Sequence, residues 1–199
     1  MGLASFLPLG LFVISATITP GGATTMATAS GAHFGFRKSL PVLSGIAVGL
    51  ASMAAAAGCG LAALLLAAPT LQLVMKAMGS LYLLWLAWKM GRAGAPKSAG
   101  TGSKPLTFIG GVWMLWHNPK GWAVTVGAAA SFGSIVAGPV HLALVLALAF
   151  GIASSLSLGL WCAAGQVLAR LLRSEIQWRA VNVLLACLLV ASIIPMWLK

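Results

Sequence analysis

ISATITPGGATTMATASG, residues 14–31, sets Thr-Pro-Gly-Gly into a run that carries no charge from residue 1 to residue 36. Pro removes a backbone donor and crowds the preceding turn, and Gly loosens a helix further. A helix that only had to cross lipid has little use for both at one point. The stretch reads as a first membrane helix broken between Thr19 and Gly22, and the rest of the chain is read outward from that break.

Composition gives the setting. The 199 residues are 60% hydrophobic and 7% charged, against about a quarter charged in soluble domains. Three further charge-free runs, 39–75, 121–169 and 180–198, each reach or approach the roughly 20 apolar residues a spanning helix needs, and 121–169 is long enough for two. Leu and Ala come in blocks rather than in strict alternation, which favours helices over a β-barrel. The fold class expected is an all-α integral membrane protein, a single transmembrane domain over 1–199.

Six segments follow from the pattern: about 3–33, 40–67, 70–90, 106–131, 139–172 and 177–198. A Gly-, Ser- and Pro-rich linker, residues 92–105, separates a first three-helix half (1–91) from a second (106–199). The net charge of +11, with Glu175 as the only acid, would suggest nucleic acid for a soluble protein. Here the bases fall in alternate loops: Arg37 and Lys38, then Lys89, Arg92, Lys97 and Lys104, then Arg170, Arg173 and Arg179. That is the pattern of the positive-inside rule. It puts these loops in the cytoplasm and both termini outside, and makes a lipid bilayer, not nucleic acid, the macroscopic partner. Lys76, near the outer end of the third segment, goes slightly against it and is expected to snorkel.

Cys59, Cys162 and Cys187 have neither metal-ligand nor CxxC spacing and read as small core residues. No cofactor and no metal are expected. Trp85, Trp88, Trp178 and Trp197 lie near helix ends and read as interfacial anchors.

The break recurs. Pro119 interrupts the fourth segment 99 residues after Pro20 interrupts the first, and Pro41-Val42 is echoed by Pro139-Val140. Three spans per half turn the second half upside down. Interrupted helices in corresponding positions of inverted halves point to a transporter binding site. A break leaves carbonyls unpaired at the end of its first half and N–H groups unpaired at the start of its second, with the matching partial charges. Amides near Gly22, Ala23 and Thr24 suit a carboxylate, carbonyls near Ala16, Thr17 and Ile18 suit an ammonium, and Gly21 and Gly22 let a ligand approach the backbone. The bland alternative is a pair of simple kinks.

An intramembrane Lys is a functional candidate by default. Lys120 either faces a substrate carboxylate or changes charge during transport, or else it neutralises carbonyls at a helix end or snorkels. Asn118 either bridges the backbone opened by Pro119 or touches substrate. His117 is a proton-coupling candidate on its ordinary pKa, against a structural role; His33 and His141 read as interfacial. Ser15, Thr17, Thr19, Thr24, Thr25, Thr28 and Ser30 either line the cavity or bond their own helix. No predicted span holds a carboxylate, so a proton relay would fall to His117, Lys120 or the substrate itself. No nucleophile–base pair is recognisable, which argues against an enzyme.

These motifs resemble a known family. ITPGG resembles the TPGP motif of the LysE/RhtB family of bacterial amino-acid exporters. SGAHFGFRKSLPVLSGIAVGL, MGSLYLLWLAWKM and KPLTFIGGVWMLWHNPKGW resemble its later segments, in family order. KPLTF and GAAASF lean toward the cysteine/O-acetylserine branch. The resemblance implies a six-helix inner-membrane exporter of amino acids or close derivatives, driven by the proton gradient. It maps the family motifs onto Thr19, Pro20 and Gly21 and onto Asn118, Pro119 and Lys120. Where the family usually continues with a second Pro and an Asn, this chain has Gly22 and Ala23.

The reading that results is a secondary transporter of small neutral amino acids working by alternating access, with Thr19, Pro20, Gly21, Gly22, Thr24, Asn118, Pro119 and Lys120 at the substrate. A second copy of the chain is a candidate partner. A passive small-solute channel and a non-transporting membrane subunit stay open as rivals.

Overall fold

The computed structural model describes residues 6–61, 63, 67–92, 105–191 and 193–197. All regular structure among them is helical. The linker expected over 92–105 lies, except for its end residues, outside the described residues.

The first break forms as its residues require. α1 (Leu7–Ile18) carries Pro8 in its first turn, where a missing N–H costs nothing. It stops at Thr19, which the following Pro20 drives into the extended region (φ −61, ψ 132). α2 (Gly22–Phe34) restarts after an extended Gly21. The two helices meet at a 54° bend and together form one candidate span. Gly35 turns the chain at φ 77, a conformation that favours Gly.

α3 (Phe36–Ala56) runs on into a π-helical turn, Ala57–Leu61. α4 covers Pro69–Gly91. α5 (Phe108–Trp116) starts at Thr107, whose Oγ1 accepts from the Gly110 amide at 3.2 Å. α6 (Pro119–Phe132) follows the second break. α7 (Pro139–Leu171) is 33 residues long, about 50 Å. α8 (Glu175–Ala191) starts with a reciprocal cap in which Ser174 Oγ accepts from the Gln177 amide and Gln177 Oε1 accepts from the Ser174 amide. A short α9 (Ile194–Trp197) then takes up the end of the last expected segment. Phe36–Leu61 and Pro139–Leu171 are each long and apolar enough to cross a bilayer.

α3 and α7 form the centre, with α1 and α2 packed on α7 and α5 on α3. Two crossings use the same device. A Cβ on Gly31 of α2 would overlap the Cys162 carbonyl of α7, and one on Gly165 of α7 would overlap the Thr28 carbonyl of α2. Gly45 of α3 and Gly111 of α5 stand in the same relation to the Phe108 and Val42 carbonyls. In each case a glycine meets the carbonyl three residues before its partner glycine. Lipid supplies no hydrophobic drive between helices, so close backbone approach does the packing. Gly165→Leu is expected to destabilise the purified protein by about 1–3 kcal/mol or more, read as a lower Tm in detergent; Gly10, which has open space around it, should accept Ala without such loss.

The core holds Val42, Ile46, Met53, Leu146 and Phe150. Exposed leucines and isoleucines recur every fourth residue on α7 (Leu144, Leu148, Ile152, Leu156, Leu160), a face suited to lipid. Two expectations change here. Cys162 is buried as expected, but Cys59 and Cys187 are exposed, because they lie on outward faces of the π-helical turn and of α8. Trp85, Trp88 and Trp197 are exposed, whereas Trp178, in the first turn of α8, is buried.

Candidate functional site

The two breaks meet. At the second, Asn118 caps α6: its Oδ1 accepts from the Lys120 amide at 3.0 Å, and Pro119 fills the first helical position, where no donor is missed. Asn118 is buried and so bridges the opened backbone. This cap starts α6 with Lys120 in its first turn. The Lys120 side chain then crosses to the first break, where its Nζ donates to the Thr19 carbonyl at 2.8 Å and to the Pro20 carbonyl at 3.1 Å. A Cβ on Gly21 would sit 3.1 Å from Lys120 Cδ, so the bare Gly21 backbone gives the lysine stem its path.

The neighbouring carbonyls released by the break are held from α7. Ser157 Oγ donates to the Thr17 carbonyl at 2.8 Å, and Trp161 Nε1 donates to that of Ile18 at 3.1 Å. The carbonyls at Thr17 and Ile18, read from sequence as an ammonium site, are therefore already bonded to side chains. An ammonium does sit at this helix end, two residues further on, and it belongs to Lys120. The physical reason is the negative end of α1, which attracts any donor within reach.

A cavity of about 50 Å³ adjoins the contact. Thr17, Thr19, Gly22 and Thr24 line one side, and Asn118, Lys120, Ser154 and Leu158 are among the residues of the other. Most hydroxyls of the first segment bond their own helix: Thr17 to the Val13 carbonyl, Thr19 to that of Ser15, and Thr28 to that of Thr24. Thr24 Oγ1 also accepts from the Gly21 amide at 2.8 Å, fixing the turn that starts α2. Ser30 and Ser39 pair through their hydroxyls at 2.7 Å, away from the cavity. Gly21 has no side chain to cap α2, so none of its own atoms bonds the amides of Gly22, Ala23 and Thr24.

His117 stands apart. Its ring lies 4.1 Å from that of Trp113, its Nδ1 is 2.9 Å from the Trp113 carbonyl, and it is exposed. It does not line the cavity. Glu175 starts α8 and does not line it either. Among the described residues no cluster of His, Cys, Asp or Glu is suited to a metal. Ser154, Ser157 and Trp161 were not visible as site residues in the sequence; only the Ser-Ser-Leu-Ser pattern at 154–157 signals a polar face on an apolar helix.

The model of the family described as LysE type translocator matches residues 14–192. The chain belongs to the LysE type translocators. This translocator is 29% identical over 182 residues to the cysteine/O-acetylserine efflux proteins of Escherichia coli strain K12, Shigella sonnei strain Ss046 and Shigella flexneri, covering 90% of each chain. No solved structure matches it. As a translocator it is a transmembrane transport protein and not an enzyme. In the translocator the first break, at Thr19 and Pro20, and the second, at Lys120, are in direct contact.

Proposed function

We propose that the chain is a secondary transporter that exports small neutral amino acids or derivatives, of the cysteine and O-acetylserine type, across a bacterial inner membrane by alternating access. The observation that carries this is the contact of Lys120 with the Thr19 and Pro20 carbonyls beside a small, mainly apolar cavity. It joins helix ends of opposite partial charge about 100 residues apart in the sequence, and such paired ends suit a zwitterion. The names of the relatives support the substrate class.

The reading includes six spans in two inverted halves, with the basic loops cytoplasmic and the termini outside. It is supported by the alternation of basic loops and by the bent first pair of helices. A cationic substrate is disfavoured because no carboxylate lines the cavity. For coupling to protons, the position of Lys120 in the cavity wall favours it over His117.

Counterflow into liposomes tests the proposal. Vesicles loaded with unlabelled cysteine, O-acetylserine, homoserine, threonine or leucine should take up the labelled solute above its outside level for at least one of them. Equilibration without overshoot would instead indicate a channel, and no flux for any solute a non-transporting subunit.

A further inference from the structure

We infer that the Lys120 ammonium is a tethered stand-in for the ammonium of the substrate: it holds the Thr19 and Pro20 carbonyls while no substrate is bound, and the substrate takes the same two carbonyls in its place. The substrate assignment rests on the transport reading above; the occupancy of the carbonyls by Lys120 does not.

Four carbonyls at and just after the end of α1 are bonded by side chains from other elements, and these donors are of two kinds. Thr17 and Ile18 are bonded by Ser157 and Trp161, uncharged donors on short or rigid side chains fixed to α7. Thr19 and Pro20 are bonded by a charge on a long flexible stem that arrives from the other half of the chain. This second donor can withdraw its charge along its own stem without the helices moving. It also lines the cavity, as do Thr19 and Gly21, so the carbonyls and their occupant are at the place a ligand would enter.

A zwitterion spanning the cavity would set its carboxylate at the first-turn amides of α2 and its ammonium at the end of α1. Two ammonium groups on one pair of carbonyls repel, and no acid lines the cavity to offset them. Lys120 must therefore swing away as the substrate binds. The exchange keeps one positive charge on the negative helix end in both the loaded and the unloaded protein. Without Lys120, the unloaded protein would leave the exposed Thr19 carbonyl and the half-buried Pro20 carbonyl at a negative helix end without their charged donor. The loaded protein would not need it. Lys120 is thus chiefly required for the unloaded return, and a substrate must bring its own hydrogen-bonding ammonium; an N-acetylated amino acid should not exchange.

The test uses the full-length chain and its Lys120→Ala and Lys120→Gln variants, the second retaining a neutral donor where the first fails to fold. Methylammonium should raise the Tm of detergent-purified Lys120→Ala saturably. Tetramethylammonium at equal ionic strength should not, having no N–H to donate, and neither salt should shift the wild type. In liposomes, net efflux by Lys120→Ala should fall about a hundredfold, while exchange of internal for external amino acid falls by less than about tenfold. Methylammonium should restore part of the net efflux. Equal losses of net efflux and exchange, or no response of the variant Tm to methylammonium, would overturn the inference. Methylammonium binding by a variant whose wild-type parent transports nothing would sustain the carbonyl site and overturn the transport reading instead.

Discussion

Pro20→Ala combined with Gly21→Ala should lower counterflow by about a hundredfold or more, while the protein stays folded. Thr19 is extended because a proline follows it. With Ala at both positions the chain can continue the helix: the amide regained at position 20 bonds the Ala16 carbonyl, and those of residues 21–23 take the Thr17, Ile18 and Thr19 carbonyls now held by Ser157, Trp161 and Lys120. The loss of two favourable polar contacts at a charged helix end, each about 1.5–3 kcal/mol, sets the magnitude. The added Cβ at position 21 also meets Lys120 at 3.1 Å, so the lysine is displaced in the same step. Helix propensity rises with both changes, and the Tm should hold or increase. Full counterflow from a stable double variant would detach the break from transport.

Ser154→Phe should abolish counterflow with a similar drop, whereas Ser154→Ala should stay within a few-fold of wild type. Ser154 is buried on α7 and lines a cavity of only about 50 Å³. A phenyl ring there would project into the space proposed for the substrate, and over-filling typically costs about 1–3 kcal/mol of stability. The measurement that separates occlusion from misfolding is labelled-solute counterflow beside size-exclusion behaviour of the same preparation. Undiminished flux through a monodisperse Ser154→Phe variant would move the substrate path elsewhere.

The sequence by itself determined the environment and the breaks. Long charge-free runs point to a membrane, and Pro20 before Gly21 and Pro119 after Asn118 mark interruptions, because these effects on the backbone are local; Pro41, without such neighbours, lies inside α3 and does not end it. The cap role of Asn118 is local in the same way, bonding the amide two residues on. The family match over 14–192 accords with motifs that stand in order along the chain.

Tertiary structure alone decided which breaks meet and what fills them. Lys120 lies 100 residues from Pro20, and Ser157 and Trp161 lie about 140 from the carbonyls they hold; no local pattern encodes a contact at that separation. The same holds for the glycine crossings, since Gly31 and Gly165 are informative only as a pair whose backbones touch. His117 shows the converse. Next to the break in sequence, it turns onto Trp113 and away from the cavity, because a residue at a helix end can project to any side while its neighbour Asn118 is committed to the cap. The released carbonyls of α1 were legible as a site for a positive charge, but whether that charge came from a ligand or from the chain itself depended on how α6 and α7 pack against the break.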